Sequence, residues 1–218
     1  MKKTAIILGA TGLTGSFLLK QLLIDDRYNI VKVFSRRTLD NDHPKIKEYI
    51  VDLFRLEEIK EEFTADEVFC CIGTTAKKTP DKILYKKIDF GIPVTAAGLA
   101  AKNQVSTFIV MSSMGANANS SVFYNRIKGE MENAIIATGI KNTFIVRPSL
   151  IGGYRNESRP GEYFGKMVFK FLSPLMVGFA KKYRIIHPKT IATAMIHLAN
   201  NKYKKHIVLS DSLQELGS

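Results

Sequence analysis

Two hydrophobic rhythms run along this chain. Short apolar runs end at glycine or serine, and longer stretches repeat apolar residues at helical spacing. Ile6-Ile7-Leu8 stops at Gly9, and Gly12 and Gly15 follow at spacings of three. Phe17, Leu18, Leu19, Leu22 and Leu23 then recur as on a helix, with Lys20 and Gln21 between them. This predicts a strand, a tight turn and a helix N-terminus. Further strands are predicted at 29–35, 49–53, 67–72, 107–111, 143–146 and 205–209. Helical patterns fall near 55–63, over 80–102, from Tyr124 through Met131 and Ile135, over 163–172, and over 190–200. Strands alternating with helices predict a doubly wound α/β Rossmann fold, a mainly parallel sheet with helices on both faces.

The first turn has a chemistry of its own. Gly9 lets the chain turn sharply, Gly12 leaves room for a pyrophosphate at the backbone, and Gly15 lets helix and strand approach. The first amides of a helix lack internal partners, and the helix dipole is positive there. A dinucleotide fits such an end, with Gly9, Thr11, Gly12, Leu13 and Thr14 as its expected contacts. At the end of the second strand, where an acid would hold the adenosine ribose of NAD, stands Ser35-Arg36-Arg37. The nearest acids, Asp40 and Asp42, fall in a loop pattern. Guanidinium groups match a 2′-phosphate that an acid would repel. The expected cofactor is therefore NADP(H). Asp52, with Leu53 beside it, is placed either to reach the adenine or to cap a helix. Cys71, Ile72, Gly73 and Thr74 lie at the C-terminal end of the fourth strand, where ligands sit in such sheets.

The fifth strand ends in Ser112-Ser113. Eleven residues after Ser113, Tyr124 and Lys128 stand four apart, one helical turn from each other on one face. A phenol can exchange a proton, an ammonium beside it stabilises the phenolate, and a serine hydroxyl can hold a carbonyl oxygen. Ser113 is expected in that role, with Ser112 its close competitor.

The segments Gly9 to Gly15, Cys70 to Thr75, Ser112 to Ala116, Tyr124 to Glu130, Arg147-Pro148 and Glu157 to Glu162 together carry a resemblance. The sequence resembles the short-chain dehydrogenase/reductases in their shorter atypical branch, and more closely the Tat-interactive-protein-like oxidoreductases and their bacterial relatives. The resemblance implies a Rossmann fold with NADP(H), a proton-donating Tyr124, a Lys128 that contacts the nicotinamide ribose, and a polar residue at Ser113. It also implies that the loop after the sixth strand, Pro148, Ser149, Leu150 and Ile151, covers the nicotinamide. Animal members are discussed as regulators as well as reductases. The expected function is thus carbonyl reduction or alcohol oxidation on an unknown small substrate. A redox-sensing NADP(H)-binding protein without turnover is the alternative.

Length and charge add limits. The 218 residues suit one domain, with residues 150–190 forming most of the substrate-side cover. Within that cover 163–172 reads as a lid, a subunit contact or a membrane-surface helix, and His187 as a turn-stabilising residue at a helix entrance. No apolar run reaches membrane-spanning length, so no integral insertion is expected. The first apolar run contains the glycine motif and reads as a strand, not a signal peptide. Adjacent Cys70 and Cys71 read as reduced thiols in a cytoplasmic protein. The histidines are scattered singly, without metal-ligand spacing. The formal net charge is +12, yet the lysines come as scattered pairs. This reads as a solvated basic surface without a nucleic-acid partner. A homodimer is a family-level expectation only.

Overall fold

The computed structural model describes residues 2–152 and 183–218. Seven strands form one sheet: β1 (Lys3–Leu8), β2 (Tyr28–Ser35), β3 (Ile46–Ile50), β4 (Glu67–Cys70), β5 (Thr107–Met111), β6 (Asn142–Arg147) and β7 (Ile207–Leu209). Their order is β3-β2-β1-β4-β5-β6-β7, and every neighbouring pair runs parallel. The order reverses direction between β1 and β4, and that switch point opens a crevice at the carboxyl ends of both strands.

Period-two alternation fills both faces. Ala5 and Ile7 of β1 join a core with Leu18 and Leu22 of α1 (Leu13–Ile24), Ile191 and Ala194 of α5 (Pro188–Asn200), and Leu213 of α6 (Ser210–Leu216). Ile6 and Leu8 face the other way. They join Leu56 of a 3₁₀ segment (Leu53–Glu62), Ala96 and Ala100 of α3 (Ile92–Lys102), and Met131 and Ile135 of α4 (Phe123–Ile136). The expected fold is the observed one.

Several boundaries differ from the sequence pattern. β3 ends at Ile50, because Asp52 turns the chain by accepting a hydrogen bond from the Phe54 amide at 3.0 Å. Asp52 and Leu53 therefore leave the sheet and start the 3₁₀ segment. β4 ends at Cys70, and the Cys71 amide adds one last bond to the Leu8 carbonyl at 2.9 Å before the chain leaves the sheet. β7 is shorter than expected, and the tail beyond it folds into α6, too short a helix to show periodicity. The single helix expected over 80–102 is α2 (Lys82–Lys86), a π turn (Lys87–Gly91) and α3 in continuous succession. The patterns at 156–162 and 163–172, with most of the expected cover, lie outside the described residues.

Candidate active site

β1 delivers Gly9 at φ +83°, a conformation that suits glycine. The Gly12 amide donates to the Gly9 carbonyl at 3.0 Å and closes the turn. A Cβ on Gly15 would stand 2.1 Å from the Gly9 carbonyl oxygen, so helix and strand touch only because it is absent. A Cβ on Gly12 would come 3.2 Å from that same oxygen. Gly12 caps α1 without any side-chain hydrogen bond, and the first turn holds no acid. Thr11 and Gly12 are exposed, Leu13 is half-buried, and Thr14 is buried. A bare, glycine-lined, electropositive helix end at the switch point fits a pyrophosphate.

At the end of β2, the buried Ser35 hydroxyl donates to the Arg37 carbonyl at 2.6 Å. This fold of the backbone leaves Arg36 and Arg37 exposed. Asp40 and Asp42 lie in the following loop, as expected. Across the crevice, Cys71, Ile72, Gly73 and Thr74 form the loop after β4. Cys71 is half-buried and Cys70 fully buried, and both are free thiols. Burial raises the pKa of each, for Cys70 to about 11.

Helix α4 carries the rest. Tyr124 is 37% exposed, whereas Lys128, one turn on, is buried. The Lys128 ammonium lies 2.8 Å from Oδ1 of Asp89 and donates to the Met111 carbonyl at 3.3 Å. Asp89 is fully buried within the π turn, and its Oδ2 accepts from the Thr74 amide at 2.7 Å. One carboxylate thus ties α4 to the β4 loop. A Cβ on Gly73 would meet Asp89 Oδ1 at 3.6 Å and Lys128 Nζ at 3.8 Å, so this glycine faces the pair. Burial alone would lower the Lys128 pKa, but the Asp89 and Tyr124 charges outweigh it and the net shift is upward.

The two serines separate. The Ser112 hydroxyl donates to Glu132, whose carboxylate also binds Arg147 through Nε at 2.9 Å and through its second nitrogen. Tyr124, Lys128 and Glu132 are spaced by four along α4. Glu132, from that helix, joins the ends of β5 and β6. The Ser113 hydroxyl is buried, with no hydrogen-bond partner among the described residues. Tyr85 is the other hydroxyl in this region so placed, and its ring meets that of Tyr124 edge-on at 6.1 Å.

The loop after β6 is braced. The Pro148 carbonyl accepts from the Met114 amide at 3.1 Å and the Leu150 carbonyl from Ile186 at 3.1 Å. Ser149 donates to the Arg184 carbonyl, and Ile151 bridges to Ile186. His187 caps α5 by accepting from the Lys189 amide at 3.2 Å, a turn-stabilising role as expected. Asp89, Tyr85 and the Glu132–Arg147 pair went unread in the sequence. The available signal was Asp89 between Ile88 and Phe90, an acid where the helical pattern over 80–102 turns apolar.

A glycine turn at the switch point, with a tyrosine and a buried lysine across the crevice, defines a dinucleotide-binding Rossmann protein with the side chains of a short-chain dehydrogenase/reductase. The comparisons agree. The NAD(P)H-binding family matches residues 9–163. Protein HTATIP2 of Rattus norvegicus is 31% identical over 199 residues, covering 89% of this chain and 80% of that protein. The mitochondrial protein FMP52 of Debaryomyces hansenii is 32% identical over 209 residues, covering 90% and 88%. Among solved structures, the Thermotoga maritima UDP-glucose 4-epimerase with UDP-glucose superposes with a TM-score of 0.69 at 15% identity, covering 98% of this chain and 81% of its own. The chain belongs to the NAD(P)H-binding family, in the Tat-interactive-protein-like atypical branch of the short-chain dehydrogenase/reductases.

One expectation is corrected. The relatives from Debaryomyces hansenii, Candida albicans and Aspergillus niger are all named mitochondrial proteins, which overturns the expectation of a cytoplasmic location. Two adjacent free cysteines do not tell one compartment from another. Among the described residues, no helix is long and apolar enough to cross a membrane, and no His, Cys, Asp and Glu cluster could hold a metal ion.

Proposed function

We propose that this protein is an NADP(H)-dependent oxidoreductase that interconverts a carbonyl and an alcohol on a small substrate. The observation that carries the reading is Tyr124 one helical turn from a buried lysine charge that Asp89 holds in place. A buried cation is costly unless paired, and this one sits where it can stabilise a phenolate. Tyr124 gives or takes the proton at the substrate oxygen. Lys128 stabilises the charge that the phenol then carries and reaches the nicotinamide ribose. Ser113, whose hydroxyl has no hydrogen-bond partner among the described residues, orients the substrate oxygen.

The backbone of Gly9, Thr11, Gly12, Leu13 and Thr14 receives the pyrophosphate. Arg36 and Arg37, with Ser35 shaping their turn, receive the 2′-phosphate, and their exposed guanidiniums favour NADP(H) over NAD(H). Asp52 and Leu53 border the adenine, Cys71 to Thr74 line the crevice wall, and Pro148 to Ile151 cover the nicotinamide. The bound dinucleotide supplies or accepts the hydride.

The test has two stages. NADPH and NADH are titrated at one fixed salt concentration, and aldehydes and ketones are then screened with the wild type and Tyr124→Phe. Tight NADPH binding with turnover that Tyr124→Phe abolishes is the expected result. Binding without turnover of any carbonyl would replace the reading with a redox-sensing one. Binding of neither dinucleotide would end both.

A further inference from the structure

Resting on the oxidoreductase reading above, we infer that Tyr85 is a further substrate-recognition residue, and that the substrate carries a second, uncharged oxygen within a few bonds of its reacting carbonyl. Tyr85 belongs to α2 and is only 2% exposed. Its ring packs edge-on against Phe123 at 5.6 Å and against Tyr124 at 6.1 Å. Its amide donates to the Asp81 carbonyl at 2.8 Å. The phenol oxygen is left over, buried and with no hydrogen-bond partner among the described residues. A buried hydroxyl without a partner is costly. Such a group points to something outside the chain that completes it.

Ser113 is the other buried hydroxyl of the region in this state. The proposed reaction uses Ser113, beside Tyr124, at the reacting oxygen. A simple ketone has no second oxygen to offer Tyr85. The surrounding charges narrow what that second group is. Burial, with the Asp89 and Tyr124 charges, holds the Tyr85 proton above the ordinary phenol value of 10.0. Tyr85 therefore stays neutral at working pH and offers a hydroxyl, never a charge. Lys128 is already matched by Asp89 at 2.8 Å and is not free to receive an anion. A neutral hydroxyl or carbonyl oxygen fits beside Tyr85, and a carboxylate or phosphate does not.

The experiment compares two ketones of equal size, acetoin and methyl isopropyl ketone, which differ by a hydroxyl in place of a methyl. Each is titrated into the wild type and Tyr85→Phe with NADPH present, and both NADPH oxidation and melting temperature are followed. Tyr85→Phe keeps the ring packing and removes only the unpaired oxygen. Its melting temperature without ketone should therefore equal or exceed that of the wild type. The wild type should prefer acetoin about tenfold or more, in kcat/KM or in the concentration that gives half the thermal shift, and Tyr85→Phe should erase most of that preference. No preference, or one that the variant leaves unchanged, would overturn the inference. So would a lower melting temperature of the ketone-free variant, which would mean that the hydroxyl serves the fold through a bound water. Weaker NADPH binding by the variant would overturn it too, by giving the hydroxyl to the cofactor. A Tyr85-dependent thermal shift without NADPH oxidation would keep the recognition and remove carbonyl reduction. Equal reduction of both ketones would keep carbonyl reduction and remove the recognition.

Discussion

The ammonium of Lys128 and the carboxylate of Asp89 lie 2.8 Å apart, both buried, on neighbouring helices. Each charge makes the other tolerable. Asp89→Asn would leave Lys128 charged without its partner, at a cost of about 3–5 kcal/mol. Urea unfolding at neutral pH should show this loss, and kcat/KM should fall with it. Wild-type stability in Asp89→Asn would mean that Lys128 needs no counterion.

The same pair sets an alkaline limit. Lys128 holds its proton beyond the ordinary lysine value of 10.5. A group whose pKa is raised by folding adds stability that is complete below the unfolded value and lost as pH rises through the folded value. Unfolding free energy should therefore decline as pH climbs above 10.5. Asp89→Asn should flatten that decline, as denaturation curves across the alkaline range would show.

Adjacent serines should respond in opposite ways. Ser112→Ala removes a buried hydrogen bond to Glu132 and should cost about 1–3 kcal/mol of stability. Ser113→Ala breaks no hydrogen bond among the described residues and should leave the melting temperature near wild type while turnover falls a hundredfold or more, on the order of losing one oxyanion donor. A melting temperature and a kcat for each variant decide it. The reverse pattern would give the substrate contact to Ser112.

Arg36→Ala and Arg37→Ala should each weaken NADPH binding roughly tenfold or more, at about 1.5–3 kcal/mol for a charge-assisted bond, and barely change NADH binding. Fluorescence titration with both dinucleotides measures the contrast. Equal losses for the two would remove the 2′-phosphate from these side chains.

Gly15→Ala should destroy dinucleotide binding and destabilise the fold together. The new methyl would need the space of the Gly9 carbonyl, 2.1 Å away. Backbone cannot yield there as a flexible side chain would. Gly129→Ala meets the same obstacle at the Ala118 amide, 2.1 Å from the Cβ position. Calorimetry of the two variants should show both well below wild type.

What could be read from the sequence follows from how far each signal reaches. Gly9, Gly12 and Gly15 announce themselves because one short stretch contains the whole turn. Tyr124 and Lys128 are legible because helical spacing alone puts them on one face. The choice between Ser112 and Ser113 is not, since both lie just past β5 and the deciding partners, Glu132 and Arg147, arrive from other elements. Asp89 stayed hidden because an α-helical pattern fits 80–102 well enough to conceal a wider turn inside it.

That wider turn at Lys87–Gly91 is a phase shift written into an otherwise regular helix. One residue more or fewer rotates everything beyond it by about 100°. A deletion there would swing Asp89 away from α4 while Ala96 and Ala100 went on packing, or hold Asp89 and expose the alanines. Between Tyr85 and Ile92, the identity of an outward-facing residue can drift freely. The number of residues cannot.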